Sequence, residues 1–236
     1  MNEDELVAAL RARLGASGPH VPTGIGDDAA VLDDGTVLSV DAVVEGVHFD
    51  RAWLTLADIG YRGTAAALSD LAAMGAAPIA ILSSLAAPDV ESALAIMEGA
   101  GEAARAHGAT IAGGNLARGP HVELHTTVVG RARAPWLRAG ARPGDAIYVT
   151  GTVGAAALGW RALAAGVELP AFARRWRRPR ARFDLAPHLA PSACVDVSDG
   201  VALDLDRLCR PSGVRARIEI ARLPLERDSL LAEARA

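Results

Sequence analysis

A chain of 236 residues that is 51% hydrophobic has enough apolar mass for one large core or two small ones. Its net charge of −4, with 22% charged residues, argues against a general nucleic-acid binder, which needs a basic face. No apolar run reaches the roughly 18 residues that a membrane span requires. Cys194 and Cys209 suit reduced thiols, not a disulfide framework or a metal knuckle. The start Met1-Asn2-Glu3-Asp4-Glu5 is acidic and unlike a secretory signal, so a cytoplasmic location is expected. All 24 basic residues are arginine. That removes the Walker A loop and the protein-kinase plan, both of which need lysine. Any ATP chemistry must then rest on metal ions, arginine and backbone amides.

In chain order, residues 3–14 carry an amphipathic stripe of Leu6, Ala9, Leu10 and Leu14 and predict a short helix. Gly24-Ile25-Gly26-Asp27-Asp28 reads as a turn, and Thr36 to Val40 as a strand. A long helix is expected from Leu56 to Met74, opened by a capping-box-like Thr55 and Asp58 and stopped by Gly75. Ile79 to Leu85 reads as a strand, Asp89 to His107 as a helix, and Thr110-Ile111-Ala112 as a strand ending at Gly113-Gly114. His121 to Val129 alternates as a strand should. Further strands are expected at 147–150, 194–197 and 215–220, with a helix opened by Gly151-Thr152-Val153-Gly154 and another over 199–210. The basic run from Arg174 to Arg182 reads as a solvated helix start, with phosphate or RNA binding as the alternative. The mixture predicts an α+β fold with a boundary near 134–146.

Asp27, Asp28, Asp41, Asp70, Asp196 and Asp199 stand at the ends of apolar segments or beside glycine. A carboxylate there must be solvated, paired or bound to a cation. Hard cations such as Mg²⁺ take oxygen ligands, often one or two carboxylates plus phosphate oxygens and water. Turn chemistry accounts equally well for Asp27-Asp28, and capping for Asp41 and Asp199. Asp70 is harder to explain that way, because it falls late in a helix where the macrodipole disfavours acids.

Several stretches together resemble thiamine-monophosphate kinase. They are Gly26-Asp27-Asp28-Ala29-Ala30, Asp41-x-x-Val44-Glu45-Gly46-x-His48-Phe49, Ser69-Asp70-Leu71-Ala72-Ala73-Met74-Gly75-Ala76 and Asp196-Val197-Ser198-Asp199-Gly200. Gly113-Gly114-Asn115-x-x-Arg118-Gly119-Pro120 and Arg142-Pro143-Gly144-Asp145-x-Ile147-Tyr148-Val149-Thr150-Gly151 match as well. The serine-aspartate helix motif is shared with aminoimidazole ribonucleotide synthetase and selenophosphate synthetase. Val44-Glu45-Gly46-x-His48-Phe49 points to the thiamine branch. The absence of a cysteine before Cys194 disfavours a selenophosphate synthetase.

The resemblance implies a two-domain aminoimidazole ribonucleotide synthetase-like α+β fold. Residues 1–138 would form the nucleotide- and magnesium-binding half, building a β-barrel at a homodimer interface. Residues 139–236 would form a second α/β half. It implies in-line transfer from ATP to the phosphate of thiamine monophosphate, with Mg²⁺ and without a covalent intermediate. By resemblance, Asp28, Asp41, Asp70 and Asp196 hold magnesium, Ser39 adds an oxygen contact, and Asp199 holds a further ion. His48 contacts the substrate, while Gly114, Arg138 and Ser198 belong to the ATP site. No nucleic acid or membrane is implied as a partner.

Two departures from the family pattern stand out. Asn115 replaces the aspartate that follows the paired glycines, so a weaker or shifted metal site is expected. The sequence stops at Ala236, before the family's Gly-Gly-Glu-Asp-Tyr-Glu-Leu segment and final aromatic residue. The C-terminal half is therefore expected to be truncated relative to the family and to expose apolar surface: a partner copy covers that face, the chain is part of a longer product, or it is a degenerate homologue. A catalytically weakened nucleotide-binding homologue, or another synthetase of the superfamily, is the alternative reading.

Overall fold

The structure, a computed structural model, describes residues 3–226. Helix α1 (Glu3–Leu14) forms where predicted, with acidic residues in its first turn and arginines in its last, the order the helix dipole favours. Two strands follow, β1 (Ala30–Val31) and β2 (Thr36–Val44). The β-branched run beginning at Thr36 thus continues four residues beyond the predicted end. It does so because β5 (Glu123–Arg131) pairs with it along its whole length, from Thr36 against Arg131 to Val44 against Glu123.

Helix α2 (Leu56–Ala73) opens as predicted, with Thr55 Oγ1 accepting the Asp58 amide at 3.1 Å. Gly75, at φ 62°, turns the chain out of the helix. The Trp136 ring lies 2.8 Å from where a Cβ on Gly75 would stand, so this position also admits an aromatic cover. Strand β3 (Ala77–Ala87) leads into helix α3 (Val90–Ala106), capped by the Asp89 side chain on the Ser92 amide at 2.7 Å.

Strand β4 (Thr110–Arg118) corrects one expectation. Gly113 and Gly114 do not end it. They stay in the ladder because β4 runs parallel to β3, with a register shift at Ile81/Leu82. At Gly114 a Cβ would stand 1.8 Å from the Ser83 carbonyl oxygen, so the neighbouring strand itself requires a glycine there.

The sheet order is β1-β2-β5-β3-β4, with only the β3–β4 pair parallel. Helices α2 and α3 pack on one face, burying Leu68, Leu71, Ile81 and Val128 in one cluster. Ile59, Leu85, Ile96 and Leu124 belong to another. The two helices meet through glycine. A Cβ on Gly60 would stand 1.8 Å from the Ile96 carbonyl oxygen, and one on Gly99 1.9 Å from that of Ala57. Backbone cannot yield as a side-chain tip can. Gly99→Ala is therefore expected to cost about 3 kcal/mol, read as a lower urea midpoint at unchanged slope.

The C-terminal half is helical among the described residues: α4 (Ala155–Ala164), α5 (Pro170–Arg177) and α6 (Val201–Ser212). The strands expected at 147–150, 194–197 and 215–220 do not form. A strand needs a ladder partner for its amides and carbonyls, and none of the three has one among the described residues. Tyr148 is 90% exposed, so its β-propensity finds nothing to pack against. Residues 227–236, the end of the expected truncated half, lie outside the described residues.

The basic run is a solvated face only in part: Arg174, Arg175 and Arg180 are exposed, whereas Arg177 and Arg178 are not. Helix α5, with Pro170 in its first turn, delivers arginines to the N-terminal half. Arg177 Nε donates to the Trp53 carbonyl at 2.9 Å, and Arg178 Nε to Asp58 Oδ1 at 2.7 Å. Arg178 also pairs with Glu102 and covers the Tyr61 ring at 4.9 Å. In the other direction, Arg62 donates to the Trp176 carbonyl. Arg177 and Arg178 thus tie α5 to α2, α3 and the loop before α2, while Arg175, Arg180 and Arg182 pair nearby with Glu226 and Asp184.

Candidate active site

Four segments converge where the sheet, α2 and the start of α6 meet. Asp28 comes from the loop before β1, Asp41 from β2, Asp70 from the last turn of α2, and Asp196 from the segment before α6. Backbone bonds bring the distant segment in. The Cys194 amide donates to the Leu137 carbonyl at 2.9 Å, and the Trp136 amide to the Met74 carbonyl at 3.0 Å. Ser212 Oγ, on α6, accepts the amides of Gly140 and Ala141 at 3.0 and 3.1 Å.

Asp28, Asp70 and Asp196 each feel at least one other member of the group, and Asp41 acts on Asp70 and Asp196. Burial raises the Asp70 pKa to about 8, opposed by a hydrogen bond from Ser39 and reinforced by the charges of Asp196, Asp28 and Asp41. Burial likewise raises Asp28 to about 7, with Arg138 opposing and Asp196 and Asp27 reinforcing. Asp196 is raised by burial and by the nearby charge of Asp204, while Arg138 and a hydrogen bond with Ser69 oppose. Asp41 is raised by burial, with its own Ala42 amide, His48 and Arg62 opposing. Four carboxylates are thus held above their ordinary range by burial, three of them also by neighbouring carboxylates, and Arg138 offsets this only in part.

Arg138 is the nearest positive charge. Its Nε donates to Asp28 Oδ1 at 2.9 Å, a second guanidinium nitrogen donates to the same oxygen, and its amide donates to both oxygens of Asp27 at 3.2 and 3.3 Å. Asp28 Oδ2 is buried and has no hydrogen-bond partner. A buried carboxylate oxygen without a donor, near other carboxylates, suits a hard cation. Among the described residues, no three His, Cys, Asp or Glu side chains close on one point as a ready-made cage. That fits an ion held by one or two carboxylates and completed by phosphate oxygens and water, as magnesium prefers.

The other expected residues are placed as follows. Ser39 Oγ bridges the Asp28 carbonyl and Asp70 Oδ2. Asp199 is half-exposed and paired with Arg207. Ser198 contributes its amide to Asp204 at 3.0 Å. Gly114 and Asn115 lie inside β4, and Asn115, opposite Ser84, is exposed; no hydrogen bond ties either side of this pair to the cluster. His48 is exposed, with Nδ1 accepting the Val44 amide at 3.1 Å, while Phe49 beside it is buried. With Nδ1 accepting, Nε2 carries the proton. His48 and Phe49 line a cavity of about 380 Å³ with Asp50, Trp53, Trp160 and Trp176.

Sequence reasoning passed over Ser69, Arg62 and Asp204. Ser69 was legible, since it adjoins Asp70 in the helix motif. Arg62 carried no local signal, since its partner Trp176 lies on a distant segment; Asp204 did, since the amides it binds lie four to six residues before it.

Comparison with known proteins gives the family and the fold. Residues 26–132 match the family described as AIR synthase related protein, N-terminal domain, which sets the class. A thiamine-monophosphate kinase of Rhodopirellula baltica is 39% identical over 94% of this chain and 72% of its own length. That of Escherichia coli K12 is 36% identical over 94% and 73%. The structure of AaThiL complexed with AMPPCP and TMP superposes with a TM-score of 0.89 at 29% identity, covering 99% of this chain and 77% of that one. The chain belongs to the thiamine-monophosphate kinase family. Hydrogenase maturation protein HypE, at 18% identity and a TM-score of 0.60, shares the fold alone. Among the described residues no helix is long and apolar enough to cross a membrane.

Proposed function

We propose that the chain transfers the terminal phosphoryl group of ATP to the phosphate of thiamine monophosphate, giving thiamine diphosphate and ADP. The observation that carries this is the convergence of Asp28, Asp41, Asp70 and Asp196, each raised by burial and three of them by one another. These four would share magnesium ions, one or two carboxylates to each, with Ser39 adding an oxygen and Asp199 serving a further ion. Magnesium, when bound, neutralises phosphate oxygens that would otherwise repel each other.

The protein's own part is positioning. Arg138 neutralises Asp28 in the resting site, and its planar fork suits phosphate oxygens once a cation occupies the cluster. Gly114, Asn115 and Ser198 complete the nucleotide site. The acceptor is already an ionised phosphate, so no strong general base is needed.

His48 would contact the substrate at the aromatic cavity. Strand β2 rises about 3.3 Å per residue, so Asp41 and the strand end at Val44 are about 10 Å apart. A molecule with a phosphate at one end and heterocyclic rings at the other spans that interval. Trp53, with Trp160 and Trp176 edge-on at 6.4 Å each, offers the rings an aromatic wall.

The proposal includes a cytoplasmic homodimer, divided at residue 138 into a nucleotide-binding half and a second half. Val40 and Leu82, both opposite Thr127, are exposed on the sheet face away from α2 and α3, an apolar surface suited to a second copy. The acceptor specificity is tested with purified protein, ATP and MgCl₂. Thiamine monophosphate is expected to yield product and unphosphorylated thiamine none; equal turnover of both would overturn the assignment. Asn115→Asp is expected to lower the magnesium concentration for half-maximal rate, and an unchanged magnesium curve would remove Asn115 from the metal's surroundings.

A further inference from the structure

Asp204 belongs to no motif singled out above, yet it is 2% exposed in the first turns of α6. Its Oδ2 accepts three consecutive amides: Ser198 at 3.0 Å, Asp199 at 3.1 Å and Gly200 at 2.9 Å. Its Oδ1 accepts Arg207 NH1 at 3.2 Å. The same guanidinium pairs with Asp199, and its Nε donates to Asp4 of α1 at 3.1 Å. One buried carboxylate therefore gathers the backbone of the loop that carries Asp196 and Asp199, and one arginine fixes the Asp199 side chain.

Simple helix capping accounts for less than this. A cap needs one side-chain bond to an amide within the first turn. Here three amides are drawn onto a single oxygen, and all three lie at or before the helix start, in the Ser198-Asp199-Gly200 segment. Gly200 sits at φ 121°, a conformation that the gathered amides hold in place. Charge-assisted bonds of this kind are roughly twice as strong as neutral ones. The Asp204 charge also reaches Asp196, as its raised pKa records.

We infer that Asp204 is a positioning residue of the phosphoryl-transfer site: it acts through Ser198–Gly200 to aim Asp196 and Asp199, and Arg207 sets the Asp199 side chain. The inference rests on the kinase reading for what the loop is aimed at, but not for the loop's order. Groups behind metal ligands commonly change metal affinity or activity by about 10–100-fold when altered.

The test compares Asp204→Asn with Asp89→Ala, which removes an ordinary cap from α3 far from the carboxylates. In metal-free protein, hydrogen exchange at the amides of 198–200 is expected to quicken about tenfold in Asp204→Asn and to stay unchanged in Asp89→Ala. In the loaded enzyme, Asp204→Asn is expected to raise the magnesium half-saturation about tenfold or more and lower kcat, with the KM for thiamine monophosphate unchanged. Asp89→Ala is expected to lower only the melting temperature. If Asp204→Asn fails to fold, Arg207→Gln, which leaves the three amide bonds in place, is expected to shift the magnesium curve alone. A magnesium curve and kcat unaltered in whichever variant folds would reduce Asp204 to a structural cap and overturn the inference. Were wild-type protein to make no thiamine diphosphate, the kinase reading would fail, while magnesium-dependent ATP binding and the exchange data would still decide the loop's role.

Discussion

Asp70→Asn is expected to lower thiamine diphosphate formation on the order of 10²–10³-fold while making the metal-free protein more stable. The two effects share one cause. Asp70 is buried among like charges, and its pKa lies at about 8 when folded against a reference of 3.8. Between those values the folded state binds more protons than the unfolded state, so this group's contribution makes stability fall as pH rises from about 4 to about 8. Asp28, raised to about 7, adds to the same fall up to that pH. Carboxylates held below their ordinary range, such as Asp34 and Asp89 with their backbone hydrogen bonds, act in the opposite direction but below that window. An asparagine at position 70 carries no charge to desolvate. With chelator present, its melting temperature at pH 8 is expected to exceed wild type by about 2–4 °C, with a flatter decline between pH 5 and pH 8. Magnesium is expected to lift the wild type in the same way and the variant less. A variant that melts lower than wild type at pH 8, with the same pH slope, would show that the cluster is not charge-strained.

Trp176→Ala is the second large effect, and it falls where α5 meets α2 and the loop before it. Trp176 is buried at 7% exposure, meets Trp53 edge-on, and lies under the Arg62 guanidinium at 4.8 Å. Its carbonyl accepts from the same arginine. Removing a buried indole costs about 3–5 kcal/mol, which at this chain length lowers the melting temperature on the order of 10 °C. Arg62 is itself largely desolvated and is held by the charge of Asp41, so loosening it reaches the carboxylate cluster. Trp176→Phe is expected to recover most of the stability. In both variants the KM for thiamine monophosphate is expected to rise more than that for ATP, because the cavity wall is altered directly and the cluster only through Arg62. Equal changes in both KM values would remove the cavity from substrate recognition.

Much of the N-terminal half was legible because its signals are local. Thr55 and Asp89 cap helices whose apolar periodicity is strong, and β5 alternates cleanly. The length of β2 was not legible, because Asp41 to Val44 become strand only through pairing with β5. Gly113 and Gly114 misled for a similar reason: glycine reads as punctuation along the chain, but here it answers to the carbonyl of a neighbouring strand. In the C-terminal half, Ile147 to Thr150 and Val195 to Val197 have strand composition without a ladder. The carboxylates were recognisable by type and context, whereas their convergence depends on tertiary bonds such as Cys194 to Leu137 that leave no mark on either segment. Arg174 to Arg182 looked like solvent-facing charge because Asp58 and Glu102, which bind Arg178, lie far away in sequence.

The central claim is that these carboxylates hold magnesium for transfer between ATP and thiamine monophosphate. The measurement that tests it most directly is thiamine diphosphate formed by wild-type protein as magnesium is titrated at fixed ATP and thiamine monophosphate, with ATP labelled in its terminal phosphoryl group. The expected result is labelled thiamine diphosphate whose yield rises from zero with magnesium and saturates. Magnesium-dependent ATP binding without labelled product would contradict the claim.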